Sequence, residues 1–387
     1  MASAQSSATR PRWPRATALL MLAGALVAAG CSASGEAPTT DARPGRAQAA
    51  PLTGAGATFP AAIYEKWFAD FGRRTGTRVT YDTVGSGEGI TRFTARRVDF
   101  GASDVPLTDI ELAQAEAVGG PVLHIPTVLG AVAVAYNVPG VARLKLDGRL
   151  IGELFLGRIT RWNDRRLAAL NPGARLPDLP VTIVHRSDSS GTTANFTAFV
   201  AREHPDFRSR VGEGKKVSWT TGKGEDGNGD LADAVKATKG AVGYVELSYA
   251  LDRDLEVAAV RNPAGTFVAP SSAAAAAAAQ DLAELSAIND FQVSPAATTA
   301  GDAYPITTYT FLVVFQRQFD DAKGTTLIQL LRYMTGDGQA SATDLSYAPL
   351  PPSLRRLITA KLQLLTGRDG APLATDPDTN PSHTGTG

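Results

Sequence analysis

The sequence predicts an α/β fold in two domains. Stretches with apolar residues at helical spacing alternate with short β-rich runs, the pattern of helices layered on a sheet. The segment from about Pro51 to Leu365, roughly 315 residues, exceeds the size at which one core usually stops growing. The composition is 43% hydrophobic and 20% charged, with a single cysteine in 387 residues, so the fold must rest on its own core. Disulfides within the chain and a zinc site built from thiolates are both excluded.

Residues 1–30 carry Arg10, Arg12 and Arg15 with no acid, followed by an apolar stretch from Ala16 to Gly30 that is too short for a stable membrane span. That is the layout of a secretory signal peptide. It ends Val27-Ala28-Ala29-Gly30-Cys31, with the small residues that lipoprotein processing needs before a cysteine that takes lipid. Ala28 stands where leucine is usual; the alternative is an ordinary signal peptide that leaves Cys31 free. Residues 31–50 lack periodicity and read as a flexible tether, and 367–387, rich in Gly, Pro, Thr and Asp, as a disordered tail. The 38 basic and 38 acidic residues balance, and loss of 1–30 would leave a net charge of −3. No broad basic field is offered to nucleic acid, so any bound anion must be held by local geometry.

Within the body, helices are expected over Ala61–Arg74, Glu88–Arg97, Thr108–Ala117, Thr192–Arg202 and Leu231–Thr238. Strands are expected over Arg78–Val84, Val122–Ile125, Val128–Tyr136, Val181–His185, Ala241–Val245 and Tyr309–Phe315. The alanine run Ala273–Ala279 makes Ser271–Ile288 a surface helix.

Three turns rich in Gly, Ser and Thr stand directly before helices. The first is Thr53-Gly-Ala-Gly-Ala-Thr58-Phe59-Pro60, where Pro60 suits a first helical turn and Thr58 can cap it. The second is Val84-Gly85-Ser86-Gly87-Glu88-Gly89, and the third Arg186-Ser187-Asp188-Ser189-Ser190-Gly191-Thr192-Thr193. A helix N-terminus exposes unpaired N–H donors and partial positive charge, and small residues let an anion approach. Converging, three such ends would make an oxyanion cage, although each alone is an ordinary cap. Arg186 offers a planar fork of donors that Asp188 could hold in place; alternatively the two form a structural ion pair. Asp104 ends the run Val98-Asp-Phe-Gly-Ala-Ser-Asp104. As a carboxylate it only accepts, so it would repel an anion unless the ligand still carries a proton, as phosphate does and sulfate does not. Its other reading is a cap for the helix near Thr108.

These motifs, in this order, resemble the substrate-binding protein family of bacterial high-affinity phosphate ABC transporters. Further matches are Lys66-Trp67, Leu170-Asn-Pro-Gly173, Gly240–Glu246, Tyr304-Pro-Ile-Thr307 and Asp344–Pro351. The resemblance implies a periplasmic-binding-protein-like fold with two α/β lobes: 51–127 with 307–366, and 128–306. They would be joined near Pro126-Thr127 and Ile306-Thr307, with the ligand in the cleft between them. It further implies that Thr58, the backbone of Phe59, Ser86, Arg186, Ser190, the Gly191 N–H and Thr192 donate to phosphate. Asp104 would accept its proton and Asp188 would orient Arg186. Implied too are a monomer without catalytic residues or cofactor, anchored outside the cytoplasmic membrane through Cys31 and delivering phosphate to permease subunits for import. The same cleft could instead serve an extracellular phosphate sensor. Glu88 departs from the family pattern and is expected to face solvent or pair with a base, and 262–302 matches the family poorly.

Other motifs lead elsewhere. Gly222-Lys-Gly-Glu-Asp-Gly227 fits a dinucleotide pattern but lacks a strand before it, and is expected to be a surface turn. Asp226-Gly-Asn228-Gly-Asp230 opens like a calcium loop without the required glycine and final glutamate. The four histidines show no metal-ligand spacing. A phosphoester hydrolase would need an activating base or metal beside Ser190, and no motif supplies one.

Overall fold

The computed structural model describes residues 49–280, 291 and 294–373. The signal peptide, Cys31, most of the expected tether and residues 374–387 lie outside the described residues, as do 281–288 of the alanine-rich helix.

The chain opens with β1 (Leu52–Gly56), α1 (Ala61–Thr75), β2 (Val79–Thr83), α2 (Ser86–Thr94), β3 (Phe100–Ser103) and α3 (Asp109–Gly119). Helix α1 turns Ile63, Tyr64, Trp67, Phe68 and Phe71 inward at three- and four-residue spacing, and stops at Gly76, whose φ of 74° suits glycine. Helix α3 starts on a reciprocal capping box between Thr108 and Glu111. Next comes β4 (Val122–Tyr136), fifteen residues that are all buried. The middle of the chain adds β5 (Lys145–Leu146), α4 (Gly148–Phe155), α5 (Arg165–Leu170), β6 (Thr182–Arg186), α6 (Gly191–Glu203) and α7 (Pro205–Arg210). It continues through β7 (Lys223–Glu225), α8 (Gly227–Ala237), β8 (Ala241–Glu246) and α9 (Leu247–Asp252) to the short strands β9 (Glu256–Val257), β10 (Ala259–Arg261) and β11 (Phe267–Val268). Helix α10 (Ser272–Gln280), β12 (Thr307–Phe315), α11 (Asp321–Thr335) and α12 (Pro352–Leu362) complete the described strands and α-helices, and short 3-10 turns lie at Pro295–Ala297, Asp337–Ser341 and Thr343–Leu345.

The main mixed sheet is ordered β2-β1-β3-β12-β4-β8-β6-β7, with β9 pairing β4 off this path, and a second sheet is ordered β11-β10-β5. Strand β12 lies antiparallel between β3 and β4. Strand β4 serves two neighbours in succession: residues 122–131 pair with β12, then 132–136 pair with β8. The register slips where Thr310 and Phe311 face Val128 and Pro126, leaving Thr127 as the extra residue of a β-bulge. Thr127 is held there by donating to Thr310 O and by its contact with the Tyr64 hydroxyl.

Several expectations are corrected. The separate strands Val122–Ile125 and Val128–Tyr136 are one strand, because the bulge accommodates Pro126 without ending the pairing. Helix α8 starts at Gly227 instead of Leu231, since Gly227 supplies the φ of 72° that turns the chain into it. Gly222–Gly227 is more than a surface turn: Lys223–Glu225 pair in parallel with β6. Thr58 does not cap α1, because its hydroxyl is engaged by Asn228, and Pro60 takes the cap position without a side-chain bond. The expected limits at 50 and 366 are also exceeded. Ala50 N–H bonds to Thr326, while at the other end Thr366 pairs with Pro372 and Leu373 is buried in the main core.

Candidate functional site

Four helix starts, three of them expected from sequence, are linked by hydrogen bonds through residues far apart in the chain. Gly85, at φ 85°, turns the chain into α2 so that Ser86, its first residue, is fully buried. Ser86 Oγ accepts from Gly191 N at 3.1 Å, at the start of α6, and from Asp104 N at 3.4 Å. The approach is close: a Cβ on Gly191 would stand 2.7 Å from both Ser86 Oγ and Asp104 Cβ. Ser190 caps α6, its hydroxyl accepting from Thr193 N at 3.1 Å. Thr58 and Thr192 are bridged by Asn228, in the first turn of α8. Tyr249 donates to Thr58 O, and Tyr347 donates to Phe59 O at 2.7 Å each, which fixes the first turn by its carbonyls. The Phe59 ring itself is core, packed edge-on against Tyr347.

Arg186 ends β6 and is almost wholly buried, with side-chain exposure of 1%. Its Nε and Nη2 form a bidentate pair with Asp188, each at 2.5 Å. The third nitrogen, Nη1, is buried and has no hydrogen-bond partner among the described residues. A buried guanidinium N–H without an acceptor is costly, and an oxyanion is the chemistry that would satisfy it.

Asp104 is the acceptor in this ring of donors. Thr310 donates to its Oδ1 at 2.8 Å, and its backbone oxygen takes Thr308 Oγ1 at 2.7 Å and Asn195 Nδ2 at 2.9 Å. Thr308 and Thr310 share one face of β12 beside the bulge, so the bulge sets the strand that aims both at Asp104. Burial pushes the Asp104 carboxyl up to about 7, against the Thr310 hydrogen bond and the Arg186 charge, with Asp188 adding to the rise. Thr108, not Asp104, caps α3. Glu88 pairs with Arg92 at 2.8 Å on the surface, one of the two outcomes expected for it.

Sequence reasoning missed Asn228, Thr308 and Thr310. Asn228 was visible only inside a string weighed as a calcium loop, and the two threonines sit in a strand whose side-chain partners are set by the fold. Among the described residues no group of three or more His, Cys, Asp and Glu could hold a metal, and no helix is long and apolar enough to cross a membrane.

The family model of the PBP superfamily domain matches residues 32–337. The chain is 36% identical over 354 residues to the phosphate-binding protein PstS of Xylella fastidiosa strain 9a5c, covering 88% of this chain and 96% of the relative. Against PstS of Haemophilus influenzae the identity is 39% over 309 residues, covering 79% and 90%. The chain belongs to the PstS family. The PstS fold extends to solved structures: the periplasmic phosphate-binding protein PfluDING, determined with phosphate bound, superposes with a TM-score of 0.66 at 24% identity, over 84% of this chain and 96% of that one. That likeness establishes the mixed α/β periplasmic-binding-protein fold expected from the motifs. In this PstS-family chain, the buried and unpartnered Arg186 Nη1 and the buried Asp104 carboxyl stand among helix starts whose donors suit an oxyanion.

Proposed function

We propose that this PstS-family protein binds inorganic phosphate outside the cytoplasm and delivers it to the permease of an ABC transporter. The observation that carries this reading is the buried, unpartnered Arg186 Nη1 beside the buried Asp104 carboxyl. Donors from Thr58, the Phe59 backbone, Ser86, Arg186, Ser190, Gly191 and Thr192 replace the water around the anion, the Gly191 N–H turning to it from Ser86 Oγ, and Asp104 takes the hydrogen that phosphate still carries. The PstS relatives of the chain support the same ligand. Residues 51–127 with 307–366 form one lobe and 128–306 the other, the ion is captured by closure between them, and the cycle involves no bond-making. Cys31 carries the lipid that keeps the protein at the membrane, and the protein works as a monomer.

Isothermal titration of the anion-stripped protein with phosphate and then sulfate, from pH 5 to 8, tests the reading. One-to-one phosphate binding without a sulfate response is expected at pH 8. Equal binding of both would make the site a general oxyanion receptor, and no binding would refute the proposal.

Closure brings a charge pair with it. Lys215 Nζ meets both Glu111 carboxylate oxygens at 2.5–2.6 Å, and Lys215 O accepts from Ser190 N at 2.8 Å, tying the pair to the cap of α6. Partial burial opposes ionisation of Glu111, but the Lys215 and Thr108 hydrogen bonds hold its carboxyl below the usual range. Glu111→Gln is therefore expected to speed phosphate release several-fold and to flatten the salt dependence of that rate, measured by stopped-flow displacement. An unchanged rate would make the pair a surface contact of little consequence.

A further inference from the structure

Asn228 is fully buried, and its whole side-chain amide and its backbone N–H are engaged in hydrogen bonds. Its Nδ2 donates to Thr58 Oγ1 at 2.8 Å and to Thr192 Oγ1 at 3.2 Å, and its backbone N–H donates to Thr58 Oγ1 at 3.2 Å. Its Oδ1 accepts from Glu246 N at 2.9 Å. That last bond fixes which way the amide points, because the reversed orientation would set an NH₂ against an N–H. Nδ2 has two hydrogens, and both are used on the threonines.

A hydroxyl accepts twice and donates once. Both acceptor positions of Thr58 Oγ1 are filled by Asn228, and Thr192 Oγ1 also accepts from it. Neither hydroxyl can discharge its hydrogen onto Asn228, whose one acceptor is taken by Glu246. The same polarity recurs nearby: Ser86 Oγ accepts from Gly191 N and Asp104 N, and Ser190 Oγ accepts from Thr193 N.

Building on the phosphate reading above, we propose that Asn228 is a positioning residue that sets the polarity of the cleft, donating to Thr58 and Thr192 so that both hydroxyls must present their hydrogens to the anion. Asn228 touches no ligand in this scheme. It acts through the two threonines, which are far apart in sequence, and it also joins the turn before α1 to the first turn of α6.

The isosteric variant Asn228→Asp reverses the arrangement, since a carboxylate accepts the threonine hydrogens and leaves oxygen lone pairs facing the anion. Phosphate titration from pH 5 to 8.5, expressed as the ratio of wild-type to variant affinity, removes the titrations of phosphate, Asp104 and Glu246 that both proteins share beside the Arg186–Asp188 ion pair. The expected deficit is 100-fold or more at pH 8 and shrinks as the pH falls and the new carboxyl regains a hydrogen. Repeating the substitution in a Thr192→Val background separates polarity from charge repulsion. Without a hydroxyl to turn, Asn228→Asp should cost at least 5-fold less there, whereas an equal loss in both backgrounds would overturn the proposal. If circular dichroism shows the Asp variant unfolded, Asn228→Ala carries the same cycle: coupling of at least 5-fold supports the proposal, and additivity overturns it. A wild-type protein that fails to bind phosphate would sink the underlying reading instead, and the control titration reports that separately.

Discussion

Arg186→Ala is expected to lower phosphate affinity by at least 100-fold. Hydrogen bonds to a charged group contribute about 1.5–3 kcal/mol each, and a hundredfold loss corresponds to about 2.8 kcal/mol, so losing the guanidinium suffices. The loss does not end with the ligand contact. Asp188, bonded to Arg186 Nε and Nη2, would be left as a partly buried carboxylate without its partner, and breaking such a pair from one side costs about 3–5 kcal/mol when burial is complete. The ligand-free melting temperature should therefore fall as well. Arg186→Lys keeps the charge without the fork, so it should bind better than the alanine variant yet remain clearly weaker than wild type. Calorimetric affinities within threefold of wild type for Arg186→Ala would remove Arg186 from the binding site.

Asp104→Asn is expected to weaken phosphate binding by more than tenfold and to let sulfate bind at pH 8, where no sulfate response is expected of the wild type. The amide can donate to an unprotonated oxyanion, and the carboxylate cannot. The wild type should show the same trend with acid: as the pH falls below about 7 the Asp104 carboxyl takes up a proton, and sulfate affinity should rise. The substitution should also change stability. With its pKa raised in the folded state, Asp104 keeps a proton that the unfolded chain releases, so the ligand-free protein loses stability as the pH climbs from about 4 to about 7. The full penalty, on the order of 4 kcal/mol, is present above that window. Glu246, pushed up to about 8 chiefly by burial, acts in the same direction. Melting temperatures of ligand-free wild type and Asp104→Asn should converge near pH 4, with the variant higher at pH 8. Parallel curves, or sulfate still rejected by the variant, would reduce Asp104 to a turn residue.

The parts of the site that could be read from sequence are those in which one short segment holds both the turn and the group that uses it. Arg186 and Asp188 are two residues apart, Ser190 opens the helix that Gly191 and Thr192 begin, and Gly85 stands beside Ser86. Each motif therefore carries its local geometry with it. What escaped depends on tertiary neighbours. Thr310 looks like any β-branched strand residue until the bulge at Thr127 sets its strand against Asp104. Asn228 looked like loop because the apolar periodicity of α8 starts only at Leu231, a turn later than the helix itself. Helices α4, α5, α7, α9, α11 and α12 went unassigned for a different reason: none of them opens on one of the three turns rich in Gly, Ser and Thr. The strand pattern was clearer, but two runs separated by Pro126 could not be joined without seeing the bulge.

The placement of β12 has a consequence for how the molecule is made. Strands β3 and β4 are synthesised early, yet the slot between them stays empty until residues 307–315 arrive. Until then both strands present open edges beside apolar surface, the state most prone to pairing with a neighbouring chain. By contrast, β6, β7 and β8 find their sheet partners within residues 132–246. A nascent chain crossing a membrane from its N-terminus thus completes the later-made part of the sheet before the earlier one, and a product truncated ahead of residue 307 lacks the strand that closes the first part.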